Sequence, residues 1–149
     1  MLERPVALLM ADDDEDDRML ARDALEEARF GSPFFQVEDG VELLDYLKRR
    51  GRYADPASSP RPGVILLDLN MPRMDGRQAL KEIKADPALC HIPVIVLTTS
   101  KAEEDILRSY QLGAAGYLAK PVTFEGLVEA IRLIGRFYFV LAELPAVEG

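Results

Sequence analysis

The sequence has few residues from which a disulfide framework or a zinc site could be built. Among its 149 residues there is one cysteine, Cys90, and one histidine, His91. A single cysteine cannot close a disulfide within the chain, and one cysteine with one histidine cannot supply the four ligands of a structural zinc site. Disulfide scaffolds and zinc-stabilised folds are therefore excluded.

Positive charge and long apolar runs are also scarce. The chain has 18 basic and 26 acidic side chains, a formal net charge of -8, so it has no general attraction to phosphate backbones or anionic lipids. No apolar run approaches the roughly 18 residues of a membrane-spanning helix, and Pro5–Ala11 leads into acids without the cleavage pattern of a signal peptide. These absences predict a cytoplasmic protein that binds neither nucleic acid nor membranes.

Five short apolar segments alternate with five helical patterns, in a chain long enough for one domain with a sizeable core. The predicted strands are Val6–Ala11, Phe34–Val37, Val64–Leu69, Pro93–Leu97 and Gly116–Leu118. Apolar spacings of three and four predict helices over Glu15–Arg29, Val41–Arg50, Gly76–Lys84, Ala102–Leu112 and Phe124–Leu141. The third and fourth strands have cores that are apolar throughout, Val64–Leu67 and Val94–Leu97, as in parallel strands buried on both faces. The order predicts an α/β fold, a (βα)5 doubly wound parallel sheet.

Two segments lie outside this alternation. Gly51–Gly63 contains three prolines and two serines, which predicts a mobile surface loop. Residues 142–149 are predicted to be a C-terminal tail, with no output domain.

Six consecutive acids, Asp12 to Asp17, follow the first predicted strand. Asp14 is placed to cap the helix, and the next three acids occupy its first turn, where the helix dipole favours anions. Asp12 and Asp13 are not explained in this way. Adjacent carboxylates at the end of a buried strand repel each other unless a cation or a proton relieves them.

Polar residues also lie at the ends of three later strands. Asp68 lies at the end of the third predicted strand, Thr98 directly follows the fourth and Lys120 comes shortly after the fifth. The carboxyl ends of parallel strands meet at one edge of the sheet, where ligands bind in folds of this class. Three carboxylates at that edge, from Asp12, Asp13 and Asp68, are hard oxygen ligands that suit Mg2+ together with a phosphate.

The ordered set of strand-end residues resembles the receiver domain of two-component response regulators. It comprises Asp12-Asp13, Asp68, Thr98 and Lys120-Pro121, with Met71–Gly76 after the third strand. The resemblance covers residues 4–141 and implies the flavodoxin-like strand order 2-1-3-4-5. Within this family, the acidic start, the run Thr98–Ser100 and the segments Lys120–Glu125 and Ile134–Tyr138 are most similar to stand-alone regulators that partner bacterial phytochromes.

The resemblance implies a phosphoacceptor signalling domain rather than an enzyme. Asp68 would accept a phosphoryl group from a sensor histidine kinase and form an aspartyl phosphate. The narrower resemblance implies a bacterial phytochrome as that kinase. Asp13 would bind Mg2+ directly, together with Asp68 and the backbone carbonyl of Asn70, while Asp12 would act mainly through water.

Three further roles follow from the same resemblance. Lys120 would supply a positive charge to a phosphate oxygen, and Thr98 would donate its hydroxyl to the phosphate. Thr98 would thereby move toward the site, and Tyr117 would follow it inward, so that the two residues form the switch.

The last predicted helix has more apolar residues than one sheet face can cover. Its second apolar stripe comprises Ala130, Leu133, Ile134, Phe137, Val140, Leu141 and Leu144. Large side chains left in water forfeit about 1.5–3 kcal/mol each and invite aggregation. We therefore predict a homodimer formed through the C-terminal helix.

Two other functions are compatible with parts of the pattern. A Mg-dependent phosphatase of the haloacid-dehalogenase type also uses an aspartyl phosphate, with its nucleophile in an Asp-x-Asp that Asp12 and Asp14 reproduce. That alternative leaves Asp68 without a role. A non-phosphorylated interaction module is disfavoured because no member of the acid, threonine and lysine set is missing.

Overall fold

The computed structural model contains a five-stranded parallel sheet with helices on both faces. It describes residues 7–29, 31, 33–99, 102–120 and 123–136. The strands are β1 (Ala7–Ala11), β2 (Phe34–Val37), β3 (Pro62–Leu67), β4 (Val94–Thr98) and β5 (Gly116–Ala119). The helices are α1 (Glu15–Glu27), α2 (Gly40–Leu47), α3 (Gly76–Ala85), α4 (Glu103–Gln111) and α5 (Phe124–Arg136). The strand order is β2-β1-β3-β4-β5. The predicted (βα)5 sheet and its order 2-1-3-4-5 are confirmed.

The three central strands are buried because both of their faces are covered. Every residue of β1, β3 and β4 is buried. Side chains alternate between two cores, since successive residues of a strand point to opposite faces. One core contains Leu9 and Ile65 with residues of α2 and α3. The other contains Leu8 and Leu66 with residues of α1 and α5.

The strand register brings the predicted polar residues to one edge. Ala11 of β1 is paired with Leu67 of β3, so the residues that follow them lie side by side. The Asp68 N–H donates to the Ala11 carbonyl at 3.0 Å, and the Lys120 N–H donates to the Thr98 carbonyl at 2.7 Å.

Asp14 caps α1 as predicted. Its carboxylate accepts hydrogen bonds from the backbone N–H groups of Asp16 and Asp17 at 2.9 and 3.3 Å. The helices α1 and α2 end earlier than predicted. Arg29 and Arg49 lie just beyond them with φ angles of 54° and 55°. This left-handed conformation cannot continue a right-handed helix.

The segment predicted as a mobile surface loop is built into the fold at several points. It begins with a short 3-10 helix over Gly51–Tyr53, and β3 starts within it at Pro62. Ser59 is buried, and its hydroxyl donates to the carbonyls of Tyr53 and Asp55 at 2.7 and 2.8 Å. These hydroxyl bonds satisfy backbone carbonyls that have no helix or strand partner.

Helix α5 buries one residue that the sequence places on its outer stripe. Ile134 is 8% exposed and belongs to the core cluster that includes Ala21 and Leu25 of α1. The prediction was wrong at this position because α1 covers more of α5 than the spacing of its apolar residues indicates. Leu133 remains 65% exposed, whereas the other predicted stripe residues from Phe137 onward lie outside the described residues.

Within the described residues, no helix is long and apolar enough to cross a membrane.

Two close approaches fix the loop between β3 and α3. A Cβ added at Gly40 would overlap the carbonyl oxygen of Met74, and one added at Gly76 would overlap the carbonyl oxygen of Asp68 and lie 2.7 Å from Leu69 Cα. The Gly76 N–H also donates to the Leu69 carbonyl at 2.8 Å. These contacts require glycine because backbone atoms cannot give way as the end of a side chain can.

Gly76→Ala is expected to destabilise the fold by about 1–3 kcal/mol or more, because the added methyl group must displace backbone next to Asp68. Urea unfolding of Gly116→Ala provides the control, since a Cβ at Gly116 would contact Ile95 at an ordinary 3.7 Å. Equal urea midpoints for the two variants would contradict the expectation.

Candidate functional site

Three carboxylates converge at the carboxyl edge of the sheet. One carboxylate oxygen from each of Asp12, Asp13 and Asp68 lies within 4.8 Å of the others. Asp12 is fully buried and Asp68 is 7% exposed, whereas Asp13 is exposed. The pocket therefore has a closed inner side and an open outer side, and it contains all three carboxylates that the sequence predicts as metal ligands.

Lys120 enters this pocket from the end of β5. Its Nζ donates to Asp12 Oδ2 at 2.6 Å and to Asp17 Oδ2 at 2.7 Å, and lies 3.6 Å from Asp68 Oδ2. The residue is only 8% exposed. The structure thus brings the predicted lysine to the predicted acids and adds Asp17.

Burial and pairing act in opposite directions on the two buried charges. Burial raises the pKa of Asp12 to about 6, although the hydrogen bonds from Lys120 and from the Asp14 backbone N–H favour the carboxylate. For Lys120, burial lowers the pKa, but hydrogen bonds to Asp12 and Asp17 outweigh it and hold the pKa above its ordinary value. Asp12 is therefore ionised and Lys120 protonated at neutral pH.

The pocket has more negative than positive charge. Among the described residues, four carboxylates, from Asp12, Asp13, Asp17 and Asp68, lie around the Lys120 ammonium. They outnumber the positive charges even when the Arg18 guanidinium, which donates to the Asp12 carbonyl, is counted. All the donors are oxygens, and hard oxygen donors suit a divalent cation such as Mg2+ or Mn2+. The residues present therefore fit a cation site.

Thr98 and Asn70 contact each other beside these acids. Thr98 is fully buried, and its Oγ1 accepts from the Asn70 side-chain amide at 3.3 Å. The Asn70 N–H also donates to Asp68 Oδ1 at 3.2 Å. The sequence assigned Asn70 a role only through its backbone carbonyl, so the contact between its side chain and Thr98 was missed.

Tyr117 lies one strand away from this group. It is half-buried on β5, opposite Val96 of β4, and packs against the core on the side of α2 and α3. The structure places it on the strand that leads to Lys120. Its movement together with Thr98 stays a prediction.

Two residues of α1 contribute to the site without having been predicted to do so. Asp17 pairs with Lys120, and the Arg18 guanidinium donates to the Asp12 carbonyl at 2.7 Å and to the Gln36 side chain at 3.2 Å. In a run of six acids the sequence does not show which one faces the strand ends. Asp17 differs from its neighbours only in being the third residue of α1.

The fold and the pocket agree with the comparison against known families. The model of the response regulator receiver domain matches residues 8–132, so the chain belongs to the response regulator receiver domain family. The response regulator Rcp1 of Synechocystis sp. is 37% identical over 142 residues, which cover 95% of this chain and 95% of Rcp1. The resemblance inferred from the strand-end residues is confirmed, including its similarity to phytochrome response regulators.

Solved structures extend this similarity to three dimensions. The phosphorylated cyanobacterial phytochrome response regulator RcpA superposes with a TM-score of 0.86 at 38% identity, covering 96% of this chain and 100% of RcpA. The Mn2+-bound form of Rcp1 superposes with a TM-score of 0.82 at 37% identity, covering 95% of this chain and 100% of Rcp1. A related protein of the same fold therefore binds a divalent cation.

Millimolar Mg2+ is expected to raise the melting temperature relative to chelator, because a cation relieves the repulsion among the carboxylates and binds only the folded pocket. Asp13→Asn should raise the melting temperature in chelator and abolish the further rise with Mg2+. Thermal unfolding in both conditions measures this. An unchanged melting temperature of the wild type would count against a shared cation site.

Proposed function

We propose that the protein is a response regulator whose Asp68 accepts a phosphoryl group from a sensor histidine kinase, with Mg2+ as the cofactor. The observation that carries this proposal is the convergence of Asp13, Asp68 and Lys120 at one edge of the sheet. A nucleophilic carboxylate, an oxygen-rich cation site and a lysine are the parts that phosphoryl transfer to aspartate needs. The receiver domain is proposed to extend over residues 4–141, with 142–149 as a tail.

The surroundings of the acids support different roles for them. Both oxygens of Asp12 are engaged, Oδ1 by the Asp14 N–H at 2.9 Å and Oδ2 by Lys120. Asp13 is exposed, so it can reach a cation directly. We therefore assign direct coordination to Asp13, Asp68 and the Asn70 backbone carbonyl, and contact through water to Asp12. Bound Mg2+ would neutralise charge on the transferring phosphoryl oxygens.

The remaining roles concern the phosphorylated state. The Oδ2 of Asp68 lies 3.6 Å from Lys120 Nζ, so a phosphoryl group on Asp68 would be close enough for Lys120 to donate to it. The Thr98 hydroxyl, which accepts from Asn70 in this structure, would turn to donate to the same group. Tyr117 would then follow Thr98 inward and alter the surface near β5.

The same geometry disfavours a phosphatase of the haloacid-dehalogenase type. In that mechanism Asp12 is the nucleophile and Asp14 the second acid. Asp12 is fully buried with both oxygens engaged, and Asp14 caps α1. Neither carboxylate is placed to serve that mechanism.

The partner that this similarity supports is a bacterial phytochrome kinase. RcpA is a phytochrome response regulator, and its similarity covers nearly the whole of this chain. We propose that this protein meets the kinase in the cytoplasm. We also propose that neither nucleic acid nor a membrane takes part, in keeping with the excess of acidic side chains.

We further propose that the protein forms a homodimer through α5. Leu133 is a large apolar residue on this helix and is 65% exposed. Burying such a side chain against a second copy stabilises an interface by about 1.5–3 kcal/mol per fully buried residue.

Asp68→Asn should abolish acid-labile labelling by acetyl phosphate in Mg2+, because an amide cannot attack the phosphorus atom. Asp75→Asn is a suitable control, since Asp75 caps α3 outside the pocket and asparagine caps equally well. Mass spectrometry of the intact protein measures the added phosphoryl group. Labelling of Asp68→Asn at the wild-type level would refute the assignment, and no labelling of the wild type would favour a non-phosphorylated interaction module.

Leu133→Glu should convert the dimer to a monomer at tens of micromolar, because a buried carboxylate would have to lose its water. Leu107→Glu on α4 is the matched control, since Leu107 is similarly exposed at 60% but lies on another helix. Sedimentation velocity distinguishes the two states. A wild-type protein that sediments as a monomer, phosphorylated or not, would refute the dimer.

A further inference from the structure

Lys120 is held by two carboxylates from different elements. Asp12, at the end of β1, and Asp17, in the first turn of α1, accept hydrogen bonds from its Nζ at 2.6 and 2.7 Å. Asp12 belongs to the group of acids at the strand ends. Asp17 belongs to the helix, and the proposed phosphoryl transfer assigns it no role.

The two bonds determine how the ammonium is oriented. A lysine ammonium has three N–H donors on a tetrahedral nitrogen, and these two contacts use two of them. Among the described residues the next carboxylate oxygen is Asp68 Oδ2, at 3.6 Å, which is beyond hydrogen-bonding distance. One donor is thus used by neither carboxylate and is available to an acceptor on Asp68.

Orientation matters because the lysine stem is flexible. A free Lys side chain must lose rotamer entropy when it binds a ligand, and a side chain already held in the bound orientation avoids most of that cost. Asp12 alone would leave the ammonium free to rotate about a single hydrogen bond. A second carboxylate fixes that rotation.

We propose that Asp17 is a positioning residue that, together with Asp12, orients the Lys120 ammonium so that its third N–H donates to a phosphoryl oxygen on Asp68. This inference rests on the proposed phosphoacceptor role of Asp68. In this role Asp17 needs no contact of its own with the phosphoryl group or the cation. Its effect is transmitted through Lys120.

The chain offers a matched control in the neighbouring residue. Asp16 lies in the same turn of α1 and is exposed, so Asp16→Ala removes the same charge near the same helix end. The two variants therefore change the helix dipole interaction equally. They differ in whether the Lys120 contact is lost.

Calorimetric titration with beryllofluoride, a phosphoryl mimic, at saturating Mg2+ tests the inference. We expect the affinity to fall about three- to tenfold in Asp17→Ala, because a Lys120 side chain that is no longer fixed must lose its rotamer freedom on binding, and by less than about twofold in Asp16→Ala. Asp17→Asn, which keeps the size of the side chain, should also weaken binding and guards against a folding defect in the alanine variant.

The ammonium resonance of Lys120 gives a readout that is independent of the phosphoryl mimic. In the wild type without beryllofluoride, hydrogen bonds to Asp12 and Asp17 should slow exchange of the ammonium protons with water and make the nitrogen signal observable. Asp17→Ala should broaden this signal, and Asp16→Ala should leave it unchanged.

The outcomes separate the inference from the proposed function. If the wild type binds beryllofluoride and Asp17→Ala binds it equally or more tightly, the role of Asp17 is overturned. Asp68 then remains the proposed phosphoacceptor. A wild type that binds no beryllofluoride would overturn the proposed function and, with it, this inference. An unchanged ammonium signal in Asp17→Ala would also overturn the positioning role.

Discussion

The structure depends on the placement of several negative charges at one end of a buried parallel sheet. Parallel strands bring their carboxyl ends together, so Asp12 and Asp68 become neighbours because Ala11 is paired with Leu67. Such an arrangement is stable only if a cation compensates it. Lys120, buried and bonded to Asp12, supplies part of that compensation from the far end of the chain. The remaining negative charge is what a bound divalent ion would compensate.

The parts of the site that depend on strand ends could be predicted from the sequence. A residue directly after a buried strand has its location fixed by the topology, whatever its neighbours are. Asp68 and Lys120 were located in this way, and the apolar composition of β3 and β4 predicted their burial on both faces. The strand order itself came from the family resemblance, because periodicity does not determine which strands are adjacent.

The features that escaped prediction are those that depend on side-chain direction and on packing between helices. Asp17 is one of several acids in α1, and only the three-dimensional path of the helix shows that it reaches Lys120. Ile134 was assigned to the outside because a helical wheel describes one covered face, whereas α1 covers a second part of α5. The early ends of α1 and α2 follow from left-handed arginines, residues with no marked preference for that conformation.

The loop that follows Asp68 is held more firmly on one side than on the other. On the α2 side, Arg73 makes two hydrogen bonds to Asp39 at 2.9 and 3.1 Å, and Gly40 lies against Met74. Burial acts to raise the pKa of Asp39, yet the bonds from Arg73 and from the Glu42 backbone N–H hold it below its ordinary value. Arg73 lies in the left-handed region with a φ of 66°, and this bidentate pair favours that conformation of the loop. On the β4 side, the contact with Thr98 is a side-chain hydrogen bond of 3.3 Å from Asn70. We therefore propose that a change at Asp68 is accommodated by movement of Thr98, while the loop on the α2 side stays in place.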